Sequence, residues 1–217
     1  MELLKTGIPL FLNLAVMASS GIALCRLRRK KDILKYYTYL SNLIGLIGSS
    51  IFAAAAVFSL PGGSPVPLWV KGLRFTGTYM LTTAMFVFTL VLLPVRQEET
   101  VITEDDFTGI RPKWANFLLH YFCPVVSAVS FLLLERQPVL ANPQWTLYAA
   151  VPTILYWSVY LILTAFNLWK DPYGFSQPQK KPASVLRTLT DILLFLLIPA
   201  ISMGLDYLLW WINTLNF

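Results

Sequence analysis

Apolar residues along this chain run in six long blocks, approximately 7–25, 36–60, 73–95, 114–135, 145–169 and 186–211, separated by short polar breaks. A helix rises 1.5 Å per residue, so about 20 residues cross the roughly 30 Å of a bilayer's hydrocarbon, and each block is close to or above that length. The breaks carry loop chemistry: Pro61-Gly62-Gly63-Ser64-Pro65, Arg96 to Lys113, Gln137-Pro138 to Pro143, and Asp171-Pro172-Tyr173-Gly174 through Lys181-Pro182. The pattern predicts an all-α fold, a single membrane domain over residues 1–217 built as a bundle of six transmembrane helices.

Composition agrees. Hydrophobic residues make up 56% of the chain, charged residues 13%, and the mean hydropathy is +0.62, whereas soluble domains carry about a quarter charged residues. The net charge of +6 is no argument for nucleic acid, because its distribution follows the breaks. Thirteen Lys and Arg flank the first, third and fifth breaks (Arg26, Arg28, Arg29, Lys30, Lys31, Lys35; Arg96, Arg111, Lys113; Lys170, Lys180, Lys181, Arg187), against four elsewhere (Lys5, Lys71, Arg74, Arg136). By the positive-inside rule those odd breaks face the cytoplasm and both termini lie outside. The first block has its charges after it rather than before, so it reads as a retained helix and not a secretory signal. The two halves share no similarity that would suggest an inverted-repeat transporter.

Cofactor chemistry finds little support. One histidine and two cysteines, Cys25 and Cys123, cannot build a metal sphere, a haem site or a disulfide framework. The expectation is no metal and no cofactor. The acidic run Glu98, Glu99, Glu104, Asp105, Asp106 fits no calcium loop and reads as a solvated segment.

The informative residues are polar ones inside apolar blocks. His120, the sole histidine, lies in the fourth block, and an intramembrane imidazole is expensive to keep. Even-numbered helices start from the same side, so Thr38, His120 and Asp191 fall at one depth, one to two turns in. Thr38, Ser41 and Asn42 share a side of helix two. Asn116, His120, Cys123 and Ser127 form a stripe on helix four. Helix three adds Tyr79, Thr82 and Thr83, and helix five adds Thr153, Tyr156, Tyr160, Thr164 and Asn167. Turned inward, these stripes would line a partly polar pocket. Several have plainer readings. Thr and Ser often bond their own helix, Asp191 has Arg187 one turn away, Cys123 suits tight packing, and Pro124 is expected to kink helix four.

Two segments carry a resemblance. Tyr36-Tyr37-Thr38-Tyr39-Leu40-Ser41-Asn42 resembles the helix-two motif of the androgen-induced-gene and androgen-dependent TFPI-regulating protein family, and His120-Tyr121-Phe122-Cys123-Pro124 its helix-four motif. The likeness is closer to that family's bacterial six-helix relatives. It implies an intramembrane threonine hydrolase of fatty acid esters of hydroxy fatty acids, with Thr38 and His120 catalytic, in a bacterial inner membrane. The Asp171-Pro172-Tyr173-Gly174-Phe175 region departs from the family's Tyr-Pro-Phe type motif, which bears on the substrate class.

The chemistry is coherent. A threonine hydroxyl needs a base within hydrogen-bond reach before it attacks a carbonyl. Free N–H groups in the first turn of helix two, with Asn42, would steady an oxyanion. Ser41, Asn42, Asn116 and Asp191 are the expected supporting residues, Asp191 by orienting the imidazole; Tyr79, Thr82, Tyr156, Tyr160 and Cys123 are expected to line the pocket. The expected partners are a lipid or fatty-acyl ester and membrane lipid. The competing expectations are a small proton-linked transporter using His120, a Cys123-dependent acyltransferase, and a non-enzymatic membrane scaffold.

Overall fold

The computed structural model describes residues 2–27, 36–59, 65–92, 113–135, 142–166, 168–169 and 185–215. Among them there are six helices and no strand. α1 spans Glu2–Leu27, α2 Tyr37–Ser59 and α3 Leu68–Val87, the last continued by a π turn at Phe88–Leu92. α4 is built from four consecutive pieces: Lys113–Phe117, a π turn Leu118–Phe122, Cys123–Val129 and a second π turn Ser130–Leu134. α5 spans Gln144–Ala165 and α6 Val185–Leu215. Three of these helices, over Gly7–Cys25, Tyr37–Ser59 and Gln144–Ala165, are long and apolar enough to cross a membrane, and Leu118–Leu134 is a shorter apolar helix. Large apolar side chains cover the outside: Phe58 is 82% exposed, Phe11 69% and Leu133 60%. An apolar exterior around a polar interior is what a lipid solvent favours and water does not.

Contacts fix the helix directions. Phe88 meets His120 while Arg74 meets Glu135, so α3 and α4 are antiparallel. Trp145 packs at Gly72 and Tyr79 faces Thr153, so α3 and α5 run the same way. α3 packs against α2, α4, α5 and α6 and is buried on almost every side, from Val70 to Val87. Close approach needs small residues here. A Cβ on Gly77 would stand 3.1 Å from Gly45 Cα and 3.3 Å from Ile44 O, so α2 and α3 touch backbone to backbone. Such glycine crossings are the membrane-helix substitute for a hydrophobic driving force.

The π turns of α4 have an identifiable cause and consequence. Cys123 N–H donates to Leu118 O, so Leu119 O loses the donor that an α-helix would supply. The next position is Pro124, which has no N–H. Asn42 of α2 fills the gap: its Nδ2 donates to Leu119 O at 3.3 Å and to Thr38 O at 2.8 Å. The same device recurs at the far end. Glu135 N–H goes to Ser130 O at 2.9 Å, and Asn213 Nδ2 of α6 donates to Phe131 O at 3.1 Å. A buried asparagine from a neighbouring helix thus satisfies each carbonyl that a π turn releases.

One expectation needs correction. The charge count groups Arg74 with Lys5, Lys71 and Arg136 as a cation at the edge of the 73–95 block. α3 begins at Leu68, behind Pro67, which places Arg74 inside the helix with its side chain 1% exposed. The other basic residues used to orient the bundle, apart from Lys71, and the acidic run 98–106 lie outside the described residues or their described side chains.

Candidate functional site

Thr38 stands in the first turn of α2, half-buried, and its carbonyl accepts from Ser41 Oγ at 3.0 Å as well as from Asn42. His120 stands in the first π turn of α4 and is 6% exposed. Its ring stacks on Phe88, which opens the π turn of α3, with centroids 3.8 Å apart and planes 20° from parallel. Two π turns therefore face each other across the imidazole, an irregularity frequent at functional sites. Asn42 clamps the Thr38 turn to the peptide immediately before His120.

The supporting residues fall out unevenly. Ser41 and Asn42 are wholly buried. Both Asn42 amide hydrogens go to carbonyls, and Ser20 Oγ reaches its Oδ1 at 3.5 Å, so Asn42 acts here as a clasp between helices. Tyr39 and Leu40 N–H both turn back to Tyr36 O, which removes both from the first-turn donors an oxyanion could use. Asn116 and Asp191 stand on α4 and α6, and their side chains lie outside the described residues; Asn167 lies outside them entirely. Cys123 is completely buried against Val16 and Leu81, with Ser20 Oγ donating to its Sγ at 3.3 Å. Such a thiol packs; a substrate would have to displace α1 to reach it.

The pocket residues on α3 and α5 are buried rather than lining a surface. Thr82 Oγ1 bonds its own helix at Thr78 O, 2.8 Å away. Tyr37 Oη and Thr153 Oγ1 share a 2.8 Å hydrogen bond. Tyr37 also packs against Tyr156 and Trp157, and Tyr156 stacks on Tyr160. This aromatic wall lies beside Thr38 and ties the start of α2 to the middle of α5.

Sequence reasoning missed a second polar centre, fourteen residues along α3 from Phe88, or about 21 Å by helical rise. Arg74 Nε and Nη2 donate to the Glu135 carboxylate at 3.0–3.3 Å, and Nη1 donates to Thr78 Oγ1 at 2.8 Å and Ser127 Oγ at 2.6 Å. Asn13 Nδ2 of α1 reaches Glu135 Oε1 at 2.7 Å, and Ser130 Oγ donates to the same oxygen. Every guanidinium nitrogen is engaged, so the centre is closed and pins α1, α3 and α4 together. A buried Arg and a Glu at opposite block edges gave the only sequence signal for it.

No family model, curated protein or solved structure matches this chain. The likeness to the threonine hydrolases stays with the two motifs that carry it.

Proposed function

We propose that this chain is an integral membrane protein of six spans, termini outside, that hydrolyses lipid carboxylic esters with Thr38 as nucleophile and His120 as base. The observation that carries the reading is the Asn42 clasp, which ties the turn bearing Thr38 to the peptide preceding His120. Thr38 and His120 thus stand on two turns that one amide holds against each other, and substrate binding is the step that tightens a catalytic hydrogen bond between such groups.

In the first half-reaction Thr38 Oγ1 attacks the ester carbonyl carbon while His120 takes its proton. The tetrahedral oxyanion collapses, the alkoxide leaves with the proton from His120, and an acyl-threonine remains. Water then attacks the acyl carbon, His120 accepts the water proton, and Thr38 recovers it as the carboxylic acid departs. Burial of His120 against Phe88 fixes the ring plane, which removes orientational freedom before reaction. Fatty acid esters of hydroxy fatty acids are the substrate class the motif resemblance favours, in a bacterial inner membrane.

The test is labelling by a fluorophosphonate probe in detergent or nanodiscs, with thermal stability measured in parallel. Wild type is expected to be labelled, Thr38→Ala to lose the label at unchanged stability, and Thr38→Ser to retain it. Labelling that survives Thr38→Ala sinks the proposal; survival there with loss in Cys123→Ala would point to a thiol acyltransferase. A proton-linked transporter gains one specific support, the carboxylates Glu135 and Asp206 buried in the bundle at 3% and 2% exposure. Substrate-dependent proton flux in liposomes, abolished by His120→Ala, would establish that alternative.

A further inference from the structure

Phe88 opens the π turn that continues α3, and His120 sits in the first π turn of α4. Their ring centroids are 3.8 Å apart and their planes 20° from parallel. Two neutral rings do not favour that geometry. Their quadrupoles repel when the faces meet, so neutral aromatic pairs slide into an offset or turn edge-on, at centroid separations of about 4.5–7 Å. A near-parallel pair at 3.8 Å leaves little room for such an offset. A cation over the face of a phenyl ring, within about 6 Å of its centre, is attracted instead. The stack thus matches imidazolium better than imidazole.

The phenyl ring is itself held in place. Phe88 N–H is shared between Ala84 O and Met85 O, and the ring meets Tyr121 edge-on, at 6.0 Å and 79°. Tyr121 in turn stacks on Phe117 at 6.2 Å. His120 is 6% exposed, so a positive charge on it gives up most of its water. Glu135, the carboxylate at the other end of α4, is spent on Arg74. We infer that Phe88 is a positioning residue that acts through His120, its ring face stabilising the imidazolium that forms as the Thr38 proton is transferred. This role exceeds the fixing of a ring plane. The attraction grows with the charge, so it lowers the barrier without tightening the ground-state complex. The inference rests on the hydrolase reading of Thr38 and His120.

The experiment follows the rate of fluorophosphonate labelling against probe concentration, for the purified full chain in nanodiscs, with thermal stability measured in parallel. In that reaction Thr38 Oγ1 bonds phosphorus, fluoride leaves, and the hydroxyl proton passes to His120. Phenylalanine carrying one, two or three ring fluorines, introduced at position 88, keeps the ring's shape while drawing negative charge from its face. The limiting labelling rate is expected to fall stepwise with fluorine number, to about a fifth of wild type at three, while the half-saturating probe concentration stays unchanged. Phe88→Leu should lose about tenfold in the same limiting rate. A labelling rate indifferent to fluorination would overturn the inference alone, even with Phe88→Leu impaired, because a ring that only packs tolerates fluorine. A wild type that resists the probe, or a Thr38→Ala variant that still takes it, would bring down the hydrolase reading and this inference together.

Discussion

Replacing Asn42 by alanine tests the causal chain from Pro124 to the candidate site. Asn42 is wholly buried, and its strongest interhelix contact is with Leu119 O. Leu119 O has no backbone donor, because Cys123 N–H is spent on Leu118 O and residue 124 is proline. Removing the amide therefore strands a buried carbonyl, which costs about 1–3 kcal/mol. The bond itself is long, and membrane interhelix hydrogen bonds average about 0.6 kcal/mol, so the stranded acceptor dominates and about 2 kcal/mol is the expected loss. For a chain of this size that is a fall in Tm of about 4–8 °C. The discriminating step is Pro124→Ala, which restores an N–H and lets Cys123 N–H return to Leu119 O in an α-turn. In that background Asn42→Ala should cost less than about 1 kcal/mol. The double-mutant cycle, read by reversible unfolding in mixed micelles, should then show a coupling of at least about 1 kcal/mol, well outside the 0.3–0.5 kcal/mol scatter of independent sites. Equal losses in both backgrounds would refute the claim that the π turn creates the need for Asn42. Probe labelling of Thr38 should fall with Asn42→Ala and stay low in the double variant, because Leu119 O regains a donor there but the clasp between the two turns is still missing.

Other outcomes follow from the same contacts. Glu135→Ala leaves Arg74 buried and uncompensated and should cost about 3–5 kcal/mol, whereas the paired Arg74→Met/Glu135→Leu variant should be far less damaging; comparable losses by chemical unfolding would mean the ion pair is not what pins α1, α3 and α4. Gly77→Val should destabilise by about 1–3 kcal/mol through the 3.1 Å approach to Gly45 Cα. Gly21→Ala, where an added Cβ meets nothing within 4 Å, should be neutral or mildly stabilising in the same thermal assay.

Helix number and order were legible because a length of about 20 apolar residues between Pro, Gly and charge clusters is a coarse, redundant signal. The ends were not. α3 starts at Leu68 because Pro67 already holds the extended backbone that precedes a helix, with φ −56° and ψ 145°. α5 stops at Ala165 rather than 169 because Leu168 and Trp169 N–H both fold back to Leu163 O at 2.8 and 3.0 Å. In α4 the stripe Asn116, His120, Cys123, Ser127 assumes an unbroken α-helix. The π turn at Leu118–Phe122 breaks that register, so its members face different neighbours: His120 meets Phe88, Cys123 meets Ser20, and Ser127 meets Arg74.

A proline is visible in the sequence, but the carbonyl it leaves without a donor, and the partner that takes it, are properties of two helices together. The same holds for Arg74 and Glu135, 61 residues apart. Periodicity shows which face of a helix is polar, not which polar groups leave a neighbour unsatisfied. Where helices pack in lipid, apolar surfaces gain nothing from meeting each other, and unsatisfied polar groups then decide where helices dock. Asn42, Asn213 and Glu135 each end on a group with no other donor or counter-charge among the described residues, at Leu119, Phe131 and Arg74 respectively. The thermodynamic logic then runs from backbone irregularity to helix pairing: Pro124 opens the turn, Asn42 closes it from α2, and the turn that carries Thr38 is thereby tied to the peptide that precedes His120.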